Sequence, residues 1–382
     1  MKNPSVLGDL TPGQFLRKYW QKKPLLIRAA IPDMQAPITR DALFRLAAHH
    51  DVESRLITNV RRQWHLQHGP MTSLPPVSQK HWTLLVQGVN LHHDQADQLL
   101  NQFRFIPDSR LDDLMISYAT DGGGVGAHVD SYDVFLLQAQ GRRRWRISAQ
   151  KDLSLRANMP LKLLQHFTPE EEFVLEPGDM LYLPPQYAHE GVAIGECMTC
   201  SIGFRAPSWQ ELGEAFLAFM ADTIELPGRY RDPGLQPCRH PAAISDEMMA
   251  SVTRALEKLM STAADREIFL GEFLSEPKPS VSFDPPAKPR GFASFRKAIE
   301  RDGLRLHRKS RMLHRKTHIF LNGESFAPKA SDRAILRRMA DQRRLDPGPL
   351  DPASADLLES LYDWYRDGWL VLGAGYSLQK GQ

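Results

Sequence analysis

Short apolar runs, broken by Gly, Pro and Asp, dominate the first half of the chain. Pro24–Ile27, Leu56–Val60, Arg62–Gln67, Thr83–Gln87 and Leu114–Tyr118 read as strands, as do Tyr132–Gln140 and Arg142–Ile147. Gly141 is expected to be the turn between the last two. Phe173–Leu175 and Met180–Leu183 flank Glu176-Pro177-Gly178-Asp179, a tight turn with Pro preset for one corner and Gly free for positive φ. Pro184-Pro185 stops the second of these, and His189 opens a last strand that runs through Thr199–Phe204. Helical spacing interrupts the pattern after Thr11-Pro12, after Thr39 (Arg40–His49) and at Asp94–Phe103. Such short strands predict a sandwich or barrel over residues 1–206.

Beyond Phe204 the period changes. Ser208 is placed to cap a helix over Trp209–Ile224, and Ser245–Met260 and Asp265–Leu274 also have helical spacing. Their apolar face lies outside the barrel, so residues 207–275 are expected to be a dimerisation segment. Residues 276–290 hold Pro277, Pro279, Pro285, Pro286 and Pro289 and read as a linker. Residues 291–382 follow as helices at Arg296–Gly303, Ser331–Gln342 and Ala355–Asp367, with short strands at Leu304–Leu306, His318–Asn322 and Trp369–Leu372. Asp346–Pro352 is a break. Helices with a small sheet suggest a winged helix, which makes the whole an α+β protein. There is no internal repeat.

Composition adds three bounds. A chain of 382 residues, 42% hydrophobic, can build two or three cored domains. No apolar run has the length of a signal segment or a membrane span, and Cys197, Cys200 and Cys238 make no disulfide framework, so a reduced cytoplasmic setting is expected. Cys197-x-x-Cys200 lies in a strand-like run with no helix N-terminus to lower a thiol pKa, which argues against a redox pair. The net charge is only +3, yet Lys288–Arg344 carries 17 Lys/Arg against 5 Asp/Glu. That asymmetry suggests either an anionic partner, such as ribosomal RNA, or a solvated basic face.

His-x-Asp occurs three times. His49/Asp51 and His92/Asp94 lie in helix-like surroundings, where i and i+2 face apart. His128/Asp130 lies in a strand-like stretch, where i and i+2 share a face and can meet one metal ion. A barrel can bring His189 to the same point. Two imidazoles and one carboxylate with open positions form the facial triad of non-haem Fe(II) oxygenases. On Arg142–Ile147, Arg143 shares a face with Trp145 and Ile147, while Arg142, Arg144 and Arg146 share the other. The Trp/Ile face must be buried, so Arg143 points inward and needs an anion, either an internal carboxylate or a bound dicarboxylate. Trp64 and Trp82 are expected as core anchors. Asp121-Gly122-Gly123-Gly124 reads as a flexible rim before the metal strand, since no Lys-Ser/Thr follows as in a phosphate loop. A basic target side chain needs acidic or aromatic lining. Tyr132, on the His128/Asp130 face, and its neighbour Asp133 are candidates, with a core or rim role as the alternative for Tyr132.

HVD, GRRRW, EPGDMLYLPP and AHEG together resemble the JmjC-type, cupin-fold (double-stranded β-helix) 2-oxoglutarate oxygenases. With FLRKYWQKKPLLIR and SIGFRAP they resemble more narrowly the bacterial ribosomal oxygenases, which hydroxylate an arginine of a ribosomal protein. The resemblance implies Fe(II) bound by His128, Asp130 and His189, with 2-oxoglutarate and O2 as cosubstrates. It implies Arg143 on the distal carboxylate of 2-oxoglutarate and Ser117 lining the same pocket. Thr199 departs from the Asn often found beside the cosubstrate. It implies that the substrate of the homodimer expected from the helical segment is an arginine of the large-subunit ribosomal protein numbered sixteen. A histidine of another ribosomal protein is the alternative target. A cupin metalloenzyme without 2-oxoglutarate and a non-catalytic ribosome-assembly factor are the competing classes. The inward Arg143 argues against the first of these and the complete triad against the second.

Overall fold

The computed structural model describes residues 6–61, 63–225, 227–233, 244–257, 262–350 and 353–373. Cys238 and the ends expected for the Ser245–Met260 helix and the Asp346–Pro352 break lie outside them.

The first nine strands are β1 (Leu25–Ile27), β2 (Ser54–Val60), β3 (Gln63–His68), β4 (Trp82–Val86), β5 (Leu111–Ala119), β6 (Val134–Ser148), β7 (Glu171–Leu175), β8 (Met180–Leu183) and β9 (Ala188–Phe204). They form one antiparallel sheet in the order β1-β8-β6-β9-β5-β4-β2-β3, with β7 added on β6. The helices are α1 (Pro12–Lys18), α2 (Arg40–Ala47), α3 (Asp94–Asn101), α4 (Trp209–Thr223), α5 (Asp246–Glu257), α6 (Ala263–Ser275), α7 (Phe292–Asp302), α8 (Ala330–Gln342) and α9 (Ala355–Arg366). The expected caps are in place. Thr11 and Gln14 close a reciprocal box on α1, and Thr39 and Ser208 accept from Ala42 N and Glu211 N.

The long β6 corrects one expectation. Gly141 is no turn between two strands but a bulge inside one, paired with β9 from Val134↔Gly203 to Ser148↔Ala188. Register slips at Gln138/Gln140 and Gln140/Arg142 absorb it. Gly141 has φ +63°, and a Cβ there would lie 2.1 Å from the Glu196 carbonyl oxygen. A turn and a bulge ask the same of a glycine, so sequence alone cannot separate them. The bulge switches side-chain parity. Before it, Val134 and Leu136 face one apolar cluster; after it, Trp145 and Ile147 join that same cluster.

Phe15, Trp82, Tyr118, Phe135 and Tyr182 anchor the main core between the sheet and α1–α3. Trp82 is the expected core anchor. Trp64 is not, being half-exposed with its ring against Gly126. The Gly122–Gly124 run is not a loose rim either. Its backbone is tied to β9 through Gly122 N to Ala193 O (3.0 Å), Ala193 N to Gly123 O (2.9 Å) and a Gly124–Val192 bridge.

A second core holds the C-terminal part, around Phe295, Ile319, Leu336, Leu361 and Trp364. It carries two small sheets: β10 (Leu304–Leu306), β14 (Arg344–Leu345) and β15 (Leu370–Leu372), and β11 (Met312–His314), β12 (Ile319–Leu321) and β13 (Glu324–Phe326). α6 lies against this unit. Gly271 packs on the Phe320 ring, and Ser275 Oγ accepts from Gly323 N. The boundary expected at residue 275 therefore falls inside a packed unit. Nor is the proline-rich stretch free: Lys278 reaches Asp112 and Asp113, and Phe283 packs on His307 and Trp369. The C-terminal part docks on the barrel through Arg104 to Ala340 O and Asp341 O, Arg308 to Leu91 O and Asp94, and Arg311 to Leu111 O and Asp112 O. Among the described residues, no helix is long and apolar enough to cross a membrane.

Candidate active site

Backbone pairing assembles the triad. His128 sits opposite His189 in a bridge closed by both hydrogen bonds (3.0 and 2.9 Å), and Ile147 of β6 flanks His189 on its other side. Opposed residues share a face, so the two imidazoles lie 4.2 Å apart, centroid to centroid. Asp130 follows two residues after His128, with Oδ2 3.6 Å from His189 Nε2. Donor atoms of all three lie within 4.8 Å of one another, and no other such cluster of three or more occurs among the described residues. His49/Asp51 and His92/Asp94 form none.

The ring orientations fit a metal. His128 Nδ1 lies 2.9 Å from Gly126 O, and His189 Nδ1 lies 2.9 Å from Tyr187 O. A carbonyl only accepts, so both Nδ1 atoms carry the proton and both Nε2 atoms keep a lone pair. Burial, then the neighbouring His128, pushes the His189 imidazole down to about 4, which keeps it neutral as a ligand must be.

Arg143 lies on the same face of the sheet, opposite Ala193, with the rest of its strand face formed by Trp145 and Ile147. It is 5% exposed. Nη1 donates to Ser117 Oγ (3.2 Å), and the guanidinium sits over the Trp145 ring. Its Nε and Nη2 are buried with no hydrogen-bond partner, and no carboxylate pairs with it among the described residues. The internal salt bridge is thereby ruled out as the partner of this cation. Two unsatisfied donors on a planar fork fit one carboxylate of a dicarboxylate. Ser117 is paired with Thr199 across β5 and β9, and Thr199 Oγ1 donates to Gln138 Oε1 (3.0 Å).

This geometry has known counterparts. Residues 98–212 match the JmjC domain family, and residues 258–371 match the ROXA-like winged helix. The ribosomal protein uL16 3-hydroxylase of Escherichia coli is 38% identical over 279 residues, spanning 72% of this chain and 74% of that protein. A probable ribosomal oxygenase of Haemophilus influenzae is 31% identical, spanning 95% and 96%. The chain belongs to the ribosomal oxygenase family. As a ribosomal oxygenase it is a 2-oxoglutarate-dependent dioxygenase that uses Fe(II), 2-oxoglutarate and O2. The solved structure of the E. coli ribosomal oxygenase YcfD in complex with cobalt and 2-oxoglutarate superposes with a TM-score of 0.82 at 31% identity, over 96% of this chain and 99% of that one.

The candidate substrate residues of this ribosomal oxygenase divide. Tyr132 is 39% exposed near the triad, and desolvation together with the Asp130 and Asp113 carboxylates pushes its phenol up. Asp133 is fully buried, and its carboxylate accepts from Tyr182 Oη (2.6 Å), Gln21 Nε2 (3.0 Å) and Arg110 Nη2 (3.4 Å). Those bonds commit it to the join between the N-terminal helix region and the barrel, so it is corrected to a structural role. Besides Asp130, the acid near Tyr132 is Asp113, which sequence reasoning missed. A Cβ on Gly203 would lie 3.7 Å from Asp113 Oδ1 and 3.9 Å from Tyr132 Cε2, so the two side chains flank that glycine. The available signal was an Asp112-Asp113 pair inside an otherwise apolar strand. The Cys197/Cys200 pair is inert: both thiols are buried, and burial pushes Cys200 up to about 12.

Proposed function

We propose that this ribosomal oxygenase hydroxylates an arginine side chain of the large-subunit ribosomal protein uL16, the substrate named for the E. coli relative. The observation that carries the arginine reading is Asp113. It is 5% exposed on its side chain, and its Oδ1 borders the same point beside Gly203 as the ring of Tyr132, which lies two residues from the metal-binding candidate Asp130. A buried carboxylate beside an aromatic ring suits a guanidinium better than a neutral imidazole. In this reading His128, Asp130 and His189 hold Fe(II) through two Nε2 atoms and one carboxylate oxygen. Arg143 and Ser117 anchor the distal carboxylate of 2-oxoglutarate, with Thr199 behind them. Bound iron and cosubstrates supply the oxidising power, converting 2-oxoglutarate and O2 to succinate and CO2 while one oxygen enters a C–H bond. The protein's own work is positioning and exclusion of water: Trp145 and Ile147 keep that face dry, and Asp113 with Tyr132 fixes the target side chain.

A homodimer built on the helical segment and a cytoplasmic setting belong to the same proposal. Ribosomal RNA contact through the C-terminal part belongs to it as well. Arg308, Arg311, Arg315, Arg337 and Arg343 are occupied by carbonyls and carboxylates of the chain itself, which leaves exposed Lys297, Lys316 and Arg338 as candidates.

The test is mass spectrometry of a uL16 loop peptide incubated with enzyme, Fe(II), 2-oxoglutarate and O2. One oxygen is expected on arginine, with no need for RNA. Oxygen on a histidine peptide instead would move the target and keep the oxygenase class.

A further inference from the structure

The Asp112-Asp113 pair sits where β5 departs from regular pairing with β9, at the register slip between Leu111 and Leu114. Such a slip re-aims side chains, and here it leaves two adjacent carboxylates to be neutralised. Asp113 Oδ2 accepts from Gln87 Nε2 (2.7 Å), Gly88 N (3.1 Å) and Lys278 Nζ (3.3 Å). None of these bonds uses Oδ1, the oxygen that faces Gly203, which Tyr132 also borders. Lys278 Nζ also donates to Asp112 Oδ2 (3.1 Å), so one ammonium bridges the pair. From the other side, Arg311 Nη2 donates to the Leu111 and Asp112 carbonyls (2.9 and 2.7 Å). Both cations come from beyond residue 276, outside the barrel.

We propose that Lys278 is a positioning residue for the substrate cation: from the proline-rich stretch it fixes the Asp113 carboxylate so that Oδ1 is presented to the target guanidinium. This rests on the reading of Asp113 as the guanidinium receptor. The physical reason is twofold. A carboxylate held through one oxygen by three donors cannot rotate, so its second oxygen keeps a single direction. Burial raises the Asp113 pKa and Lys278 opposes that rise, so the ammonium favours the charged form that a guanidinium needs. The C-terminal part thereby completes a substrate site whose iron lies wholly in the barrel.

The experiment uses full-length enzyme, two versions of a uL16 loop peptide (arginine, or neutral citrulline at the target), and the variants Lys278→Met, Lys278→Arg, Lys288→Met and Asp113→Asn. Lys278→Met should raise the KM for the arginine peptide about tenfold, the scale of one lost charge-assisted hydrogen bond. Its KM for 2-oxoglutarate and its kcat at saturating peptide should stay near wild type. Preference for arginine over citrulline should shrink in proportion, and Lys278→Arg should restore most of it. Lys288→Met, an exposed cation of the same stretch, should match wild type. A wild-type arginine KM in Lys278→Met, with Asp113→Asn impaired, overturns the role of Lys278 and leaves Asp113 standing. Unimpaired Asp113→Asn removes the receptor reading, and the proposal with it. If Lys278→Met does not fold, Lys278→Gln carries the comparison. A loss of Tm and kcat with the arginine-to-citrulline preference intact marks Lys278 as merely structural and overturns the proposal.

Discussion

At the residue scale, the proposed chemistry turns on two groups, and each is exposed by an unmet need. Arg143 is a buried guanidinium with two idle donors. With Arg143 on 2-oxoglutarate as proposed, Arg143→Ala would remove a bidentate charge-assisted pair worth roughly 2–5 kcal/mol, so the KM for 2-oxoglutarate should rise about 30-fold or more. Arg142→Ala, exposed and on the opposite face, is the control; equal effects of the two would refute the face assignment. His189 is buried and neutral, so His189→Ala should cost iron binding while the fold survives. A cobalt-substituted sample, read by its d–d absorption, should lose that band with the melting transition retained. Both residues were legible in the sequence because each follows from strand parity plus one chemical rule. Asp113 was not. Its meaning depends on a slip in the β5–β9 register and on a lysine 165 positions away, and no local pattern carries either. Asp133 misled for the same reason: adjacency in sequence to Tyr132 says nothing about which side of the sheet its carboxylate reaches.

At the element scale, β6 matters most. The expected hairpin and the observed bulged strand place the same residues on the same face, so the inward Arg143 was read correctly even with the connection misassigned. The bulge does something a hairpin would not: it lets one strand pair with β8 through Val134–Leu137 and with β7 through Arg143–Ile147. Gly141 is the residue that permits it. Gly141→Ala puts a Cβ 2.1 Å from a backbone oxygen at φ +63°, a strain of about 1–3 kcal/mol or more. The variant should lower the denaturation midpoint and, by displacing Arg143, raise the KM for 2-oxoglutarate. A variant with normal stability and normal KM would show that the bulge is not what sets the Arg143 face.

At the scale of the whole molecule, the barrel and the winged helix were readable from changes of hydrophobic period, while α6, expected with the preceding helices, packs on the C-terminal unit. How the parts hold each other was not readable, because arginines that suggested a solvated domain, and Lys278 of the stretch that suggested a linker, are spent on docking it. What docking leaves over is the helical segment. α4 and α5 have no buried residue. Yet Trp209 is 89% exposed, Leu217 69%, and Met248, Met249, Val252 and Leu256 of α5 fall between 40% and 55%. Met248, Val252 and Leu256 recur every four residues, one stripe of a helix. Each such side chain stabilises by roughly 1.5–3 kcal/mol when buried, and a monomer has no reason to leave that much unclaimed. A second copy of the chain, meeting its own helices, is the expected cover. Sedimentation equilibrium should report a dimer at micromolar concentration, and the paired change Val252→Glu with Leu256→Glu should yield monomers. Because the residues proposed to hold iron and cosubstrate lie within the barrel of one chain, those monomers should keep the wild-type KM for 2-oxoglutarate. A wild-type monomer, or a double variant that stays dimeric, would show that these helices serve something else.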